Sequence, residues 1–125
     1  MRLSQELILF TLGKFYEEVN SRFSGKPLRV VISKMGMIDV IHHSGITGKD
    51  KKHVSFLVYK LLQKLENKRM ISYKKRGLRF TKKGRKEYDK IKRRMQPYLD
   101  MLTALQNPKL YKKQKTQTVF SVNQQ

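Results

Sequence analysis

The stretch VYKLLQKLENKRMISYKKRGLRFTKKG, residues 58–84, decides how the rest of the chain is read. Two hydrophobic periods meet in it. Up to Leu65 the apolar residues return at helical spacing; from Ile71 they alternate on either side of a basic break. The helical part extends upstream. Val54, Leu57, Val58, Leu61, Leu62 and Leu65 fall at i, i+3, i+4, i+7, i+8 and i+11, one face of a helix predicted over 51–68. Asp50 precedes it as an N-cap whose charge suits the positive end of the helix dipole.

The alternating part predicts a short antiparallel hairpin. For Ile71, Tyr73, Leu78 and Phe80 to share a face, Tyr73 must oppose Leu78 and Ile71 must oppose Phe80. A three-residue loop would place Arg79 opposite Tyr73 and scramble the faces. The register leaves Lys74, Lys75, Arg76 and Gly77 as the loop, expected around a type I turn with Gly77 in a left-handed closing position. The apolar face packs down, and Ser72, Arg79 and the basic tip point out.

Downstream, Thr81 can cap a helix from about Lys82 to Gln106. Tyr88, Ile91, Met95, Tyr98, Leu102 and Leu105 form a narrow heptad-like seam along it. Pro97 is expected to kink or break this helix. Upstream, residues 4–22 read as a helix capped by Ser4, with Ile8, Leu12, Phe15, Tyr16, Val19 and Phe23 on its apolar stripe. LRVVI, 28–32, reads as a short strand. Residues 33–45 read as a helix from Ser33 to a stop at Gly45, with Met37, Ile38 and Ile41 inward. A single longer helix starting at Pro27 is the competing reading.

The expected class is therefore mainly α with a small β-hairpin. The 125 residues suit one domain, 1–106, followed by a basic tail, 107–125, expected to be flexible. The net charge of +20 attracts polyanions: DNA, RNA or an acidic membrane surface. It is unevenly spread, since 19 of the 29 basic residues and four of the nine acids lie between positions 49 and 94. The hairpin and helices around it carry the charge, so the search for function belongs there.

Other classes find little support. The chain has no cysteine, which removes disulfides and Cys-ligated zinc. LILFTLG is too short for a signal or a membrane span, and the expected location is the cytoplasm, in association with the nucleoid. SGITGKD has the wrong glycine spacing for a phosphate loop. His42 and His43 are adjacent at a helix end and diverge, and His53 stands alone. No catalytic constellation, metal site or cofactor is expected, and the basic segment commits its apolar residues to a core rather than to a membrane.

The order of helix, strand, helix, amphipathic helix, hairpin and helix resembles the winged helix-turn-helix DNA-binding proteins, particularly the small archaeal and bacterial regulators of the PadR and MarR groups. The match runs from about Ser33 to Ile91. Leu65, Glu66, Met70 and Ile71 occupy the exit of the recognition helix; Phe80, Thr81 and Gly84 occupy the "Leu-Thr-x-x-Gly" that opens the last helix. The Asp-x-Arg found in the MarR wing is absent. The resemblance implies a transcription regulator that dimerises through its terminal helices, the seam from Tyr88 to Leu105 pairing with its symmetry mate or with the first helix of either subunit; a contact within the chain, with Ile8, Phe15 and Val19, is the alternative. Two copies would read half-sites about 34–36 Å apart, or a multiple of that.

The chemistry of groove recognition selects the site residues. Opposite the apolar face of 51–68 stand Lys52, Phe56, Tyr59, Lys60 and Gln63, with Lys49, Lys51 and Ser55 near the helix start. Lys and Gln can bond base edges, and Ser and Tyr can bond phosphates. Phe56 and Tyr59 could instead cover the preceding helix. Lys74, Lys75, Arg76 and Arg79 reach phosphates or a minor groove, for which Arg76 is best suited. Lys82 and Lys83 open the last helix, where an anion would relieve their conflict with the dipole. The expected partner is double-stranded DNA bound by a homodimer. RNA is an alternative polyanion, and a low-specificity architectural or chromatin-like coat is the alternative role.

Overall fold

The computed structural model describes residues 3–23 and 30–109. It holds helices α1 (Gln5–Arg22), α2 (Lys34–Ser44), α3 (Lys51–Asn67) and α4 (Lys82–Leu105), with strands β1 (Ile71–Lys74) and β2 (Gly77–Phe80) between the last two helices. The protein is thus mainly helical with one antiparallel hairpin. Two compact units divide it after Ile91, so that α4 begins in the first and ends in the second.

Local chemistry sets the helix starts. The side chains of Ser4, Ser33 and Asp50 accept from the N–H groups of Leu7, Gly36 and His53. Thr81 does the same for Gly84 at 3.1 Å. Each cap satisfies a backbone donor that the first turn leaves open. The stop at Gly45 is left-handed, φ 69°, and α2 begins at Lys34, which removes the reading of one helix from Pro27. Pro27 itself lies outside the described residues, as do Leu28 and Arg29 of the predicted strand. The rest of that strand reduces to a single bridge, Ile32 to Leu78.

The first unit has one core. Ile8, Leu9 and Leu12 of α1, Met37, Ile38 and Ile41 of α2, and Val54, Val58, Leu62 and Leu65 of α3 are buried together with Leu78 and Tyr88. Leu57 and Leu61, part of this stripe by spacing, are only half-buried. The inward face of α3 is narrower than the sequence stripe, centred on positions 54, 58, 62 and 65.

Two glycines mark where elements meet without room for a side chain. A Cβ at Gly13 would fall 2.0 Å from the Tyr88 ring, so α1 and the first half of α4 touch there. Tyr88 is fully buried, stacks on Phe80 at 5.5 Å, and donates from its hydroxyl to Glu17 at 2.7 Å. A Cβ at Gly84 would fall 1.7 Å from the Met70 carbonyl oxygen, which explains the glycine three residues after Thr81.

The hairpin keeps the expected register, with Ile71 opposite Phe80 and Tyr73 opposite Leu78. Its turn differs. Lys74 pairs with Gly77, so the loop has two residues, Lys75 and Arg76, both left-handed at φ 51° and 59°. Positive φ at both central positions is the signature of a type I′ turn, whose twist matches the strands. Gly77 is not in a left-handed conformation. It is small because a Cβ there would lie 2.9 Å from the Val31 side chain, where the Ile32 segment crosses β2.

At that crossing Leu78 N–H donates to Ile32 C=O at 2.8 Å. The Tyr16 hydroxyl completes the pair, donating to the Leu78 carbonyl and accepting from Ile32 N–H at 3.5 Å. One side chain of α1 therefore stands in for a ladder bond and fastens the hairpin to the helical core.

α4 runs through Pro97 without a break, so the predicted interruption does not divide it. Of the tail, Asn107–Lys109 belong to the described residues, and the remainder, from Leu110, lies outside them.

Candidate nucleic-acid interface

The outward side of α3 carries Lys52, Phe56, Tyr59, Lys60 and Gln63, all exposed, at i, i+4, i+7, i+8 and i+11. They form one stripe, because the inward stripe uses the complementary positions. Phe56 is 67% exposed and Tyr59 44%, so Phe56 does not serve as a cover for α2. Ser55 is half-buried and Lys49 exposed. Lys51 is held by Asp39 of α2 at 2.9 Å, which ties the start of α3 to the preceding helix. Gln63 donates to Asn67 at 3.1 Å, an exposed bond that a better partner can replace.

The exit from α3 fixes where the hairpin begins. Met70 N–H donates to Leu65 C=O and Arg69 N–H to Glu66 C=O, with Arg69 left-handed at φ 60°. This is a Schellman ending, with arginine in a place that favours glycine. The start of α4 then locks the same turn. The Thr81 hydroxyl donates to Arg69 C=O, Thr81 N–H to Met70 C=O at 3.1 Å, and the Lys83 ammonium to Lys68 C=O at 3.1 Å. Lys83 is thus committed to the C-terminus of α3, where a cation suits the helix dipole. Lys82 has no such bond.

A further pair, Lys34 and Glu66, joins α2 to the end of α3 at 3.0 Å and is about one-quarter exposed. The same ammonium lies 4.6 Å from the Tyr73 ring. Tyr73, expected on the buried face, is 37% exposed and is covered by this cation instead of by the core. Lys34 therefore positions β1 against α3. No spacing in the sequence could have found it, since its partners lie 32 and 39 residues away.

At the tip, Lys74, Lys75 and Arg76 are exposed, and Arg79 is half-buried on β2. Lys75 and Arg76 form no ion pair among the described residues. They occupy left-handed backbone, which costs a side-chain-bearing residue on the order of 1–2 kcal/mol. Asn-Gly would fill the turn without that strain. A turn that holds two cations at this cost exposes charge where ordinary turn chemistry offers none.

The heptad seam separates into two parts. Tyr88 and Ile91 are 0% and 2% exposed within the core of the first unit and cannot meet a second chain. Met95 is half-buried. In the second unit Tyr98, Leu102 and Leu105 are exposed, joined by Met101, which heptad spacing alone did not select. Among the described residues no three potential metal ligands come together, and no helix is long and apolar enough to cross a membrane.

No model of a known protein family, no curated protein and no solved structure matches the chain.

Proposed function

We propose that the protein is a winged helix-turn-helix DNA-binding regulator of transcription. α2 and α3 act as the helix-turn-helix, and α3 enters the major groove, where Lys60 and Gln63 meet base edges and Lys52, Ser55 and Tyr59 meet the backbone. The hairpin is the wing, with Lys74, Lys75 and Arg76 on phosphates or in the adjacent minor groove. Phe56 offers an apolar contact for a thymine methyl. The chain acts as a homodimer in association with the nucleoid, the exposed Tyr98, Met101, Leu102 and Leu105 of α4 forming the contact.

The observation that carries the reading is the wing tip. Two cations sit in left-handed backbone at the end of a hairpin that follows directly on the exit of α3. Backbone strain at an exposed, charged turn points to use of those side chains, since it contributes nothing to packing.

Selection of binding sites from random duplexes at two salt concentrations tests it. A regulator returns a consensus bound roughly 10³-fold or more above random DNA. Gln63→Ala then relaxes preference at one base position, at a cost of about 1–3 kcal/mol for the preferred base. Absence of any consensus would sink the regulator and favour the second reading, an architectural DNA coat. The net charge of +20 supports that second reading, because it exceeds what one α3 and one wing employ. Preference for structured RNA over duplex in competition would overturn both.

A further inference from the structure

A cleft of about 590 Å³ opens beside the wing on the side of α1 and α4. Arg79, Lys82, Arg85 and Lys86 line it together with Tyr16 and Asn20, and among the described residues no carboxylate does. Arg79, Lys82 and Lys86 form no ion pair among the described residues. Arg85 lies 5.6 Å from the Phe80 ring, which forms part of the wall. Glu17, on the same helix as Tyr16 and Asn20, is engaged by Tyr88 and Lys14.

Four cations around one open concavity repel one another, and Lys82, Arg85 and Lys86 are exposed there. Lys34, Lys51 and Lys83, by contrast, each have a partner in this fold. The mixture is suited to an oxyanion of high charge. The two guanidinium groups offer paired N–H donors, the ammonium groups offer point charge, and Asn20 offers a neutral amide donor. Tyr16 contributes less, because its hydroxyl is already bound to the Ile32 and Leu78 backbone.

We propose that this cleft is a second phosphate-binding site, separate from α3 and the wing tip. Its ligand chemistry is a phosphate ester. Assignment of that ester to a DNA backbone, flanking the segment read by α3, rests on the function proposed above; the site itself does not. Bound there, a backbone phosphate would extend the footprint past the wing and hold the duplex against the first turns of α4.

Two variants of the full chain test this: Lys82→Gln/Lys86→Gln in the cleft, and Lys64→Gln/Lys90→Gln as an equal loss of exposed charge elsewhere. Inorganic phosphate and pyrophosphate are titrated at constant ionic strength while amide resonances are followed. The expected result is saturable shifts confined to residues 79–86 and to Tyr16 and Asn20 on α1. The cleft variant should bind about tenfold more weakly or worse, and the control should match the parent. With duplex DNA, the cleft variant should flatten the log–log salt slope by about 1.8, and the control should not. Localised phosphate binding with an unchanged duplex slope keeps the site and makes its ligand a free phosphate ester. Shifts scattered over the lysines, equal in both variants, would overturn the site. A neutral Gln63→Ala would instead count against the α3 reading and leave this one untouched.

Discussion

Tyr88 is the residue with most at stake. It fills the space that Gly13 leaves, stacks on Phe80, and ends in a hydrogen bond to Glu17. Burial, and then the Glu17 bond and charge, push its ionisation well above the usual value of 10.0. Burial also raises Tyr16, against smaller lowering by the Ile32 bond and the Arg79 charge. The folded state therefore holds these protons more tightly than the unfolded chain does. Their contribution to stability is complete below pH 10 and is lost as pH rises beyond it. In urea melts, the midpoint should fall above pH 10, and Tyr88→Phe should shrink that fall. The same substitution should lower stability at neutral pH by about 1 kcal/mol, because Glu17, still held by Lys14, loses one of its hydrogen bonds. An identical alkaline limb in the variant would show that Tyr88 does not supply it.

The hairpin shows how an element can trade stability for exposed charge. Its strands are anchored by Ile71 and Leu78, by the Ile32 bridge and by the Tyr16 hydroxyl. Its turn is strained at Lys75 and Arg76. Lys75→Asn/Arg76→Gly should relieve the strain and raise stability by about 1 kcal/mol, read from the denaturation midpoint. It should also weaken binding to every duplex and reduce the salt slope by about 1.8, the loss of two phosphate contacts. Greater stability with unchanged affinity would remove the tip from the DNA.

Across the whole molecule, most of the basic residues lie in the first unit, which also exposes Met35, Val40 and Phe56. Much of the basic block lies there, around α3, the hairpin and the opening of α4, while Lys92, Arg93 and Arg94 belong to the second unit. The second unit presents Tyr98, Met101, Leu102 and Leu105 on the remainder of α4. Four large apolar side chains within eight residues of a helix are a surface suited to self-association. Leu102→Glu should convert a dimer to a monomer in sedimentation while the far-ultraviolet signal of the helices is kept. It should weaken binding to a two-half-site duplex far more than to a single half-site, because the second half-site loses its tethered reader. A parent chain that sediments as a monomer at micromolar concentration would remove the dimer.

Much of this was legible in the chain. Helical periodicity placed α1, α3 and α4, the Ser4, Ser33, Asp50 and Thr81 caps were read correctly, and alternation gave the hairpin its register, because these signals are local and set by backbone geometry. The turn differs from its expected form because nothing local shows that Lys75 and Arg76 accept positive φ; Gly77 suggests flexibility in the sequence, and in the fold it makes room for Val31. The long seam of α4 was one pattern in sequence and two surfaces in space, since only the packing of Gly13 on Tyr88 decides which half is covered. The Lys34–Glu66 bridge, the Tyr16 clasp and the basic cleft join residues far apart in the chain. Such sites arise from which elements lie side by side, a matter that periodicity constrains but long-range packing settles.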